Sequence, residues 1–163
     1  MANSSLKSDF SFLSYKVDKL EMSILQDIGV IKFDCNYDNF EWNQSISIRK
    51  PIYFESIKVY LCGISSVVTL KPKKQKNKRT KAWLRLRIGM VGLFSVEDRI
   101  DEALERKFVS ISAPAILFPF LRATCANLLA SAGFGSVVMP LINMYKVGIS
   151  VSSKENFAIA VKP

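Results

Sequence analysis

Apolar and polar residues alternate along most of this chain, and in one long stretch the alternation gives way to helical spacing. Tyr15 and Val17, then Leu20, Met22 and Ile24, fall on one side of an extended backbone, with Lys19, Glu21 and Ser23 on the other. Period two predicts a strand over residues 15–24. Val30, Lys32 and Asp34 against Ile31, Phe33 and Cys35 repeat the pattern, and the turn residues of Asn36–Asn39 end it. Phe40 to Pro51 is rich in Asn, Gln and Ser around Trp42. It reads as a connection with at most a short strand at Ile46–Ile48, broken by Pro51. Phe54–Leu70 is dense in β-branched, aromatic and long apolar residues, and Ala82–Val96 is its antiparallel partner in a long hairpin. Gly89 and Gly92 predict a bend or bulge in that second strand.

The period then changes. Glu97–Phe108 opens with acids, sets Ile100, Leu104 and Phe108 on one face, and closes on Arg106 and Lys107. That order complements a helix dipole and predicts a short amphipathic helix. Pro114–Ala132 follows, with Arg122 its only charge; a proline suits a helix's first turn, and Pro119 either marks the true start or kinks it. A helix apolar all round must be buried on most sides, in part by another subunit in so small a domain. Gly133 and Gly135 close it. Ser136–Pro163 alternates again, with Pro140 as a break. Strands followed by helices predict an α+β fold: an antiparallel sheet of about four strands packed on a long helix.

Composition changes this picture only in places. At 163 residues the chain fits a single domain, 1–163, with 1–10 flexible, a basic hairpin loop at 71–81 and a distinct C-terminal segment at 146–163. No apolar run reaches the length that crossing a bilayer demands, and the amino terminus lacks a signal pattern, so a cytoplasmic protein is expected. Net charge is +9, and Lys71–Lys81 alone carries seven basic residues and no acid. A solvated hairpin tip is the simplest reading of that run. An acidic partner comes second and nucleic acid third, since no aromatic there could stack on a base. The candidate patch is Lys73, Lys74, Lys76, Lys78 and Arg79.

The chain has no histidine, which removes the commonest general base and zinc ligand. It also lacks a phosphate-binding glycine loop and an acidic calcium loop. Cys35, Cys62 and Cys125 are too scattered for a disulfide framework or a metal knot. No enzyme, no metal and no cofactor is expected.

Two segments carry a resemblance. Arg87–Val96, RIGMVGLFSV, resembles the strand of the SecB-type protein-export chaperones that closes on Gly-[Ile/Leu]-Phe-Ser-[Ile/Val]. Ala113–Arg122, APAILFPFLR, resembles that family's Pro-Asn-Ile-Leu-Phe-Pro-Tyr-x-Arg signature at Pro114, Ile116, Leu117, Phe118, Pro119 and Arg122, with Phe120 for the tyrosine. Phe134 and Leu141–Asn143 approximate two further family positions. The resemblance spans residues 15–145 and is densest over 86–134.

The resemblance implies a four-stranded antiparallel sheet with two helices, assembled as a dimer of dimers, that holds unfolded polypeptides without ATP. Family members pass these clients to the SecA-type translocase motor or guard the antitoxin of a toxin–antitoxin pair. Export members dock on the motor through an acidic sheet face and many end in an acidic tail helix. This chain is basic and its end reads as strand, so fold and client holding transfer more directly than motor docking.

Phe40, Trp42, Tyr53 and Phe54 bracket the polar connection and are the candidate client-binding residues. Core anchoring is the plainer reading, but a holdase needs exposed, adaptable apolar surface. Leu117, Phe120, Leu121, Arg122 and Leu128 are the candidate oligomer interface, Arg122 pairing with a carboxylate or carbonyl across it. The alternative to a chaperone is a basic adaptor that binds nucleic acid or an acidic partner through Lys71–Lys81.

Overall fold

The computed structural model describes residues 9–24, 40–73, 82–97, 100–134 and 143–144. Strand β1 runs Phe10–Ile24, β2 Phe40–Phe54, β3 Val59–Pro72 and β4 Leu84–Val96. They form one antiparallel sheet in the order β1-β4-β3-β2. Helix α1, Glu102–Lys107, passes through a π-helical turn, Phe108–Ser112, into α2, Ala113–Ser131. The expected fold class stands. The second strand at 30–36, most of the basic run and the C-terminal alternation lie outside the described residues.

The phase change in β1's sequence pattern has a structural cause. Apolar residues at 15 and 17 give way to 20, 22 and 24 because the register with β4 shifts between Val17 and Lys19. A second shift lies between Phe12 and Ser14. Each extra residue lets the apolar side chains on both sides of it face α2. The irregularity expected in β4 at its glycines is therefore on the neighbouring strand, and β4 pairs with β3 without a shift.

The two glycines admit close neighbours, one on each face. A Cβ on Gly92 would stand 2.7 Å from a Leu117 methyl, so only glycine lets α2 settle this near β4. On the opposite face a Cβ on Gly89 would meet the Arg49 guanidinium at 1.8 Å. Arg49 leaves β2, passes over Gly63 of β3 and Gly89 of β4, and reaches Asp18 of β1 with both terminal nitrogens. Its Nε donates to Ser65 Oγ at 2.7 Å on the way. One side chain thus straps all four strands together.

The stretch 40–51 is a strand, not a connection. Trp42, Ile46 and Ile48 point to the core while Glu41, Asn43, Ser45 and Ser47 point away. The polar residues that suggested a loop are the wet side of an edge strand. Pro51 falls within the register shift between Arg49 and Ile52, on a strand that is at the sheet's edge among the described residues, where its missing N–H is tolerated. A 3-10 turn, Glu55–Ile57, and Lys58 at φ 52° then reverse the chain into β3.

The helices also differ from expectation. Residues 102–131 form one continuous helical run where two helices with a break were expected. The widened turn falls just before Pro114, whose ring would otherwise press on the carbonyl of Ser110 in a regular α-turn. Asp101 caps the start, accepting from Leu104 N, and Tyr60 Oη donates to Glu105 Oε1 at 2.6 Å, fixing α1 to β3. By length and composition this fused helix reaches what a membrane span requires, longer than the sequence suggested. Half of its most apolar window, however, is buried in the fold.

Leu117, Leu121, Cys125 and Leu129 of α2 meet Ile64, Val68, Leu70, Leu84, Leu86, Ile88 and Met90 in one core. Burial pushes the Cys62 thiol up to about 12 and that of Cys125 to about 11, so both stay protonated, as inert core residues do.

Replacing Leu121, fully buried in this core, with Ala is expected to cost about 2–5 kcal/mol in denaturant unfolding. The strap gives a second prediction. Arg49→Ala and Gly89→Ala should each cost about 1 kcal/mol, and the double variant little more than either, because both remove the same contact. The Arg49 hydrogen bond, ahead of its charge, holds the Asp18 carboxyl below its ordinary range. Its contribution is therefore present above the unfolded pKa of about 3.9 and is lost as pH falls through the lower folded value. Acid unfolding curves of Arg49→Ala and the parent should converge at low pH.

Candidate binding surfaces

A single helix does not cover a four-stranded sheet. α2 packs on β3 and β4, and the helix-facing sides of the two edge strands are left partly open. On β1 the apolar side chains Phe12, Tyr15, Val17, Leu20 and Ile24 are between 36% and 51% exposed although they face the core side. Tyr15 and Phe12 lean on Phe120 of α2, with ring centroids 4.4 and 5.9 Å away. Phe120 and exposed Ile116, one turn apart, wall this apolar strip on the helix side. The strip was legible as one side of a strand but not as open surface. Its signal was arithmetic: about four apolar strands are wider than the long helix expected to pack on them.

The candidate client residues divide between two faces. Trp42 is half-buried and meets the Phe134 ring edge-on at 6.5 Å. Tyr53, near the other end of β2, stacks on Tyr60 at 4.6 Å. Phe54, 37% exposed, belongs to the opposite face, where it borders a recess with Leu61, Val91 and Leu93. Phe40 opens the strand. Between Trp42 and Tyr53, Gln44 donates to Ser66 Oγ at 3.3 Å, and its Oε1 is buried without a partner among the described residues.

The candidate interface residues divide as well. Leu117 and Leu121 are wholly buried against the chain's own sheet and leave nothing to offer a second subunit. The physical reason is that α2 is not buried all round: its large residues form one stripe on β3 and β4. Phe120, Leu128 and Arg122 keep surface, and Arg122 lies over the Phe118 ring at 5.8 Å. The remaining flank is small and exposed: Ala115, Pro119, Ala123 and Ala130. Lys73 of the basic patch is exposed, while Lys74, Lys76, Lys78 and Arg79 lie outside the described residues. Among the described residues no three His, Cys, Asp or Glu side chains are grouped to hold a metal ion.

Known proteins match this arrangement. By structure, the chain is similar to a SecB-like chaperone of Mycobacterium tuberculosis in complex with a ChAD peptide from the HigA1 antitoxin. The TM-score is 0.61 over 82% of this chain and 91% of that one, at 9% identity, a likeness of fold alone. By sequence, it is 38% identical over 52 residues to the protein-export protein SecB of Anaplasma marginale, covering 32% of this chain and 30% of that one. Against the protein-export protein SecB of Burkholderia vietnamiensis it is 32% identical over 85 residues, covering 52% and 49%. The chain thus spans between about a third and a half of the length of these curated relatives. The family described as preprotein translocase subunit SecB matches residues 58–148, more than half of the chain, and the protein belongs to that SecB family.

Proposed function

We propose that the protein is a cytoplasmic, ATP-independent holdase that binds unfolded polypeptide and works as an oligomer. The observation that carries this reading is the large apolar surface the fold leaves open on the helix side of both edge strands. A soluble chain that exposes contiguous large side chains must cover them with a partner or use them to bind one. Family membership supports the same reading, and SecB chaperones are not enzymes.

The two strips suit different partners. The β1 strip continues onto the small-residue flank of α2, where a second helix can approach closely. A second copy is the natural cover there, with Phe120, Leu128 and Arg122 at its margin. The β2 side, where Trp42 and Tyr53 share the helix face of the strand that Phe40 opens, suits clients. Its aromatics offer area at little rotamer cost, and each apolar side chain buried contributes on the order of 1.5–3 kcal/mol before ordering costs. β2 is an edge strand among the described residues, and such an edge can also pair with an extended client backbone.

Export of the client is the role suggested by the relatives' names. The antitoxin peptide held by the M. tuberculosis neighbour favours a second reading, guarding an antitoxin, with the same surfaces at work.

Light scattering at micromolar concentration is expected to give a dimer or tetramer; a stable 18.3 kDa species would overturn the oligomer. A chemically unfolded test protein should aggregate less in the protein's presence without nucleotide. Replacing Trp42 and Tyr53 with Ser should weaken that protection about three- to tenfold with size and melting temperature nearly unchanged. Equal aggregation with and without the parent protein would end the holdase reading. Dissociation or unfolding of the double variant would make these core residues instead.

A further inference from the structure

We propose that the outer face of the sheet, turned away from α2, docks an extended polypeptide segment that is apolar at one end and acidic at the other. This is a second binding surface, separate from the client surface above and independent of the holdase reading.

The register fixes what the outer face presents. Toward the β3–β4 turn it carries Lys71, Arg85 and Arg87, with Lys19 alongside from β1. Toward the other end it carries Leu61, Val91 and Leu93, with Ile52 and Phe54 from β2. The Arg49 strap lies between the two halves. The apolar half is not flat: Lys16, Asp18, Phe54, Leu61, Val91 and Leu93 line a recess of about 460 Å³. That volume lies in the range of sites that take side chains or small molecules. Ile52 and Phe54 at its margin are more than a third exposed, an unusual position for large apolar residues on the polar face of a sheet.

Charge selects the occupant. Lys16, Lys19, Arg49, Lys71, Arg85 and Arg87 face this side against Asp18, Glu21 and Glu41, six bases to three acids. Arg49 is engaged by Asp18, and Lys19 and Arg87 share Glu21. The surplus is positive: Lys16 borders the recess, and Lys71 and Arg85 lie toward the far end of the face. The chain's own termini do not complement it: residues 1–8 hold Lys7 and no acid, and residues 145–163 hold three lysines to one glutamate. Nucleic acid fits poorly, because a recess walled by leucine and valine gives phosphate no partner and the face offers one phenylalanine for stacking. From Leu93 to Arg85 is eight residues of strand, about 26 Å, so an extended segment of about eight residues touches both halves.

The test uses a fluorescein-labelled peptide of about twelve residues, Leu and Phe alternating with Ser in its first half and Glu alternating with Ser in its second. Its anisotropy is followed on titration with the full-length protein. Saturable binding is expected, weakened about tenfold by Glu→Gln in the peptide and by added salt. Arg85→Glu with Lys71→Glu should weaken it about tenfold, and Leu93→Ser about fivefold, while melting temperature and protection of an unfolded client stay unchanged. Absence of binding, or equal affinity for the Gln peptide or for the face variants, would overturn the proposal. So would displacement of the peptide by an equal charge of single-stranded oligonucleotide, which would make the face a phosphate site. If the peptide binds only after Asp27, Asp34 and Asp38 are changed to Asn, the chain's own residues 25–39 are the occupant and the proposal fails.

Discussion

The architecture depends on one mismatch of widths. Four strands about 4.8 Å apart make a sheet some 14 Å from first axis to last, and with edge side chains it is wider still. One helix of about 10 Å diameter cannot roof it. The contact of α2 with β3 and β4 satisfies the middle of the sheet completely: Leu86, Ile64, Leu117 and Leu121 lose all or nearly all exposure. It leaves apolar side chains of the edge strands partly exposed. Binding surface therefore arises from ordinary core-forming sequence that α2, among the described residues, leaves partly exposed.

Both faces of the sheet are organised around glycine in β4. Gly92 lets Leu117 press in from the helix side, which sets the closeness of the roof. Gly89 lets Arg49 lie flat on the other side, which ties the two edge strands to the centre. Among the described residues each edge strand otherwise pairs with one neighbour. The strap also separates the basic part of the outer face from its apolar recess. A larger residue at Gly92 would lift the roof and one at Gly89 would displace the strap, so the two positions protect different things three residues apart.

Much of the fold was legible in local pattern. The β1, β3 and β4 strands followed from period two, and the phase slip from Val17 to Leu20 was a bulge written in the sequence. The β2 strand was missed because its outward residues, Asn43, Ser45 and Ser47, carry turn chemistry that a solvated edge strand can equally bear. The helix was expected in two pieces because a proline usually starts a helix; here a π turn makes room for Pro114, and the run continues. Of the candidate client residues, Trp42 and Phe54 fall on opposite faces. A shift of register at Arg49–Ile52 decides that, and no residue pattern displays it.

By itself the sequence determined the fold class, the strand and helix periods, the lack of histidine chemistry and the SecB resemblance, because each is a property of neighbours along the chain. Tertiary structure decided which apolar side chains are buried and which remain open. Leu121 and Phe120 are adjacent and equally apolar, and only the placement of α2 over β3 and β4 buries the first and leaves the second partly exposed. The same holds for Arg49, an ordinary cation in sequence whose reach to Asp18 exists only once four strands lie side by side. Burial and long-range pairing depend on how elements cover one another, and that geometry is not a local property of any segment.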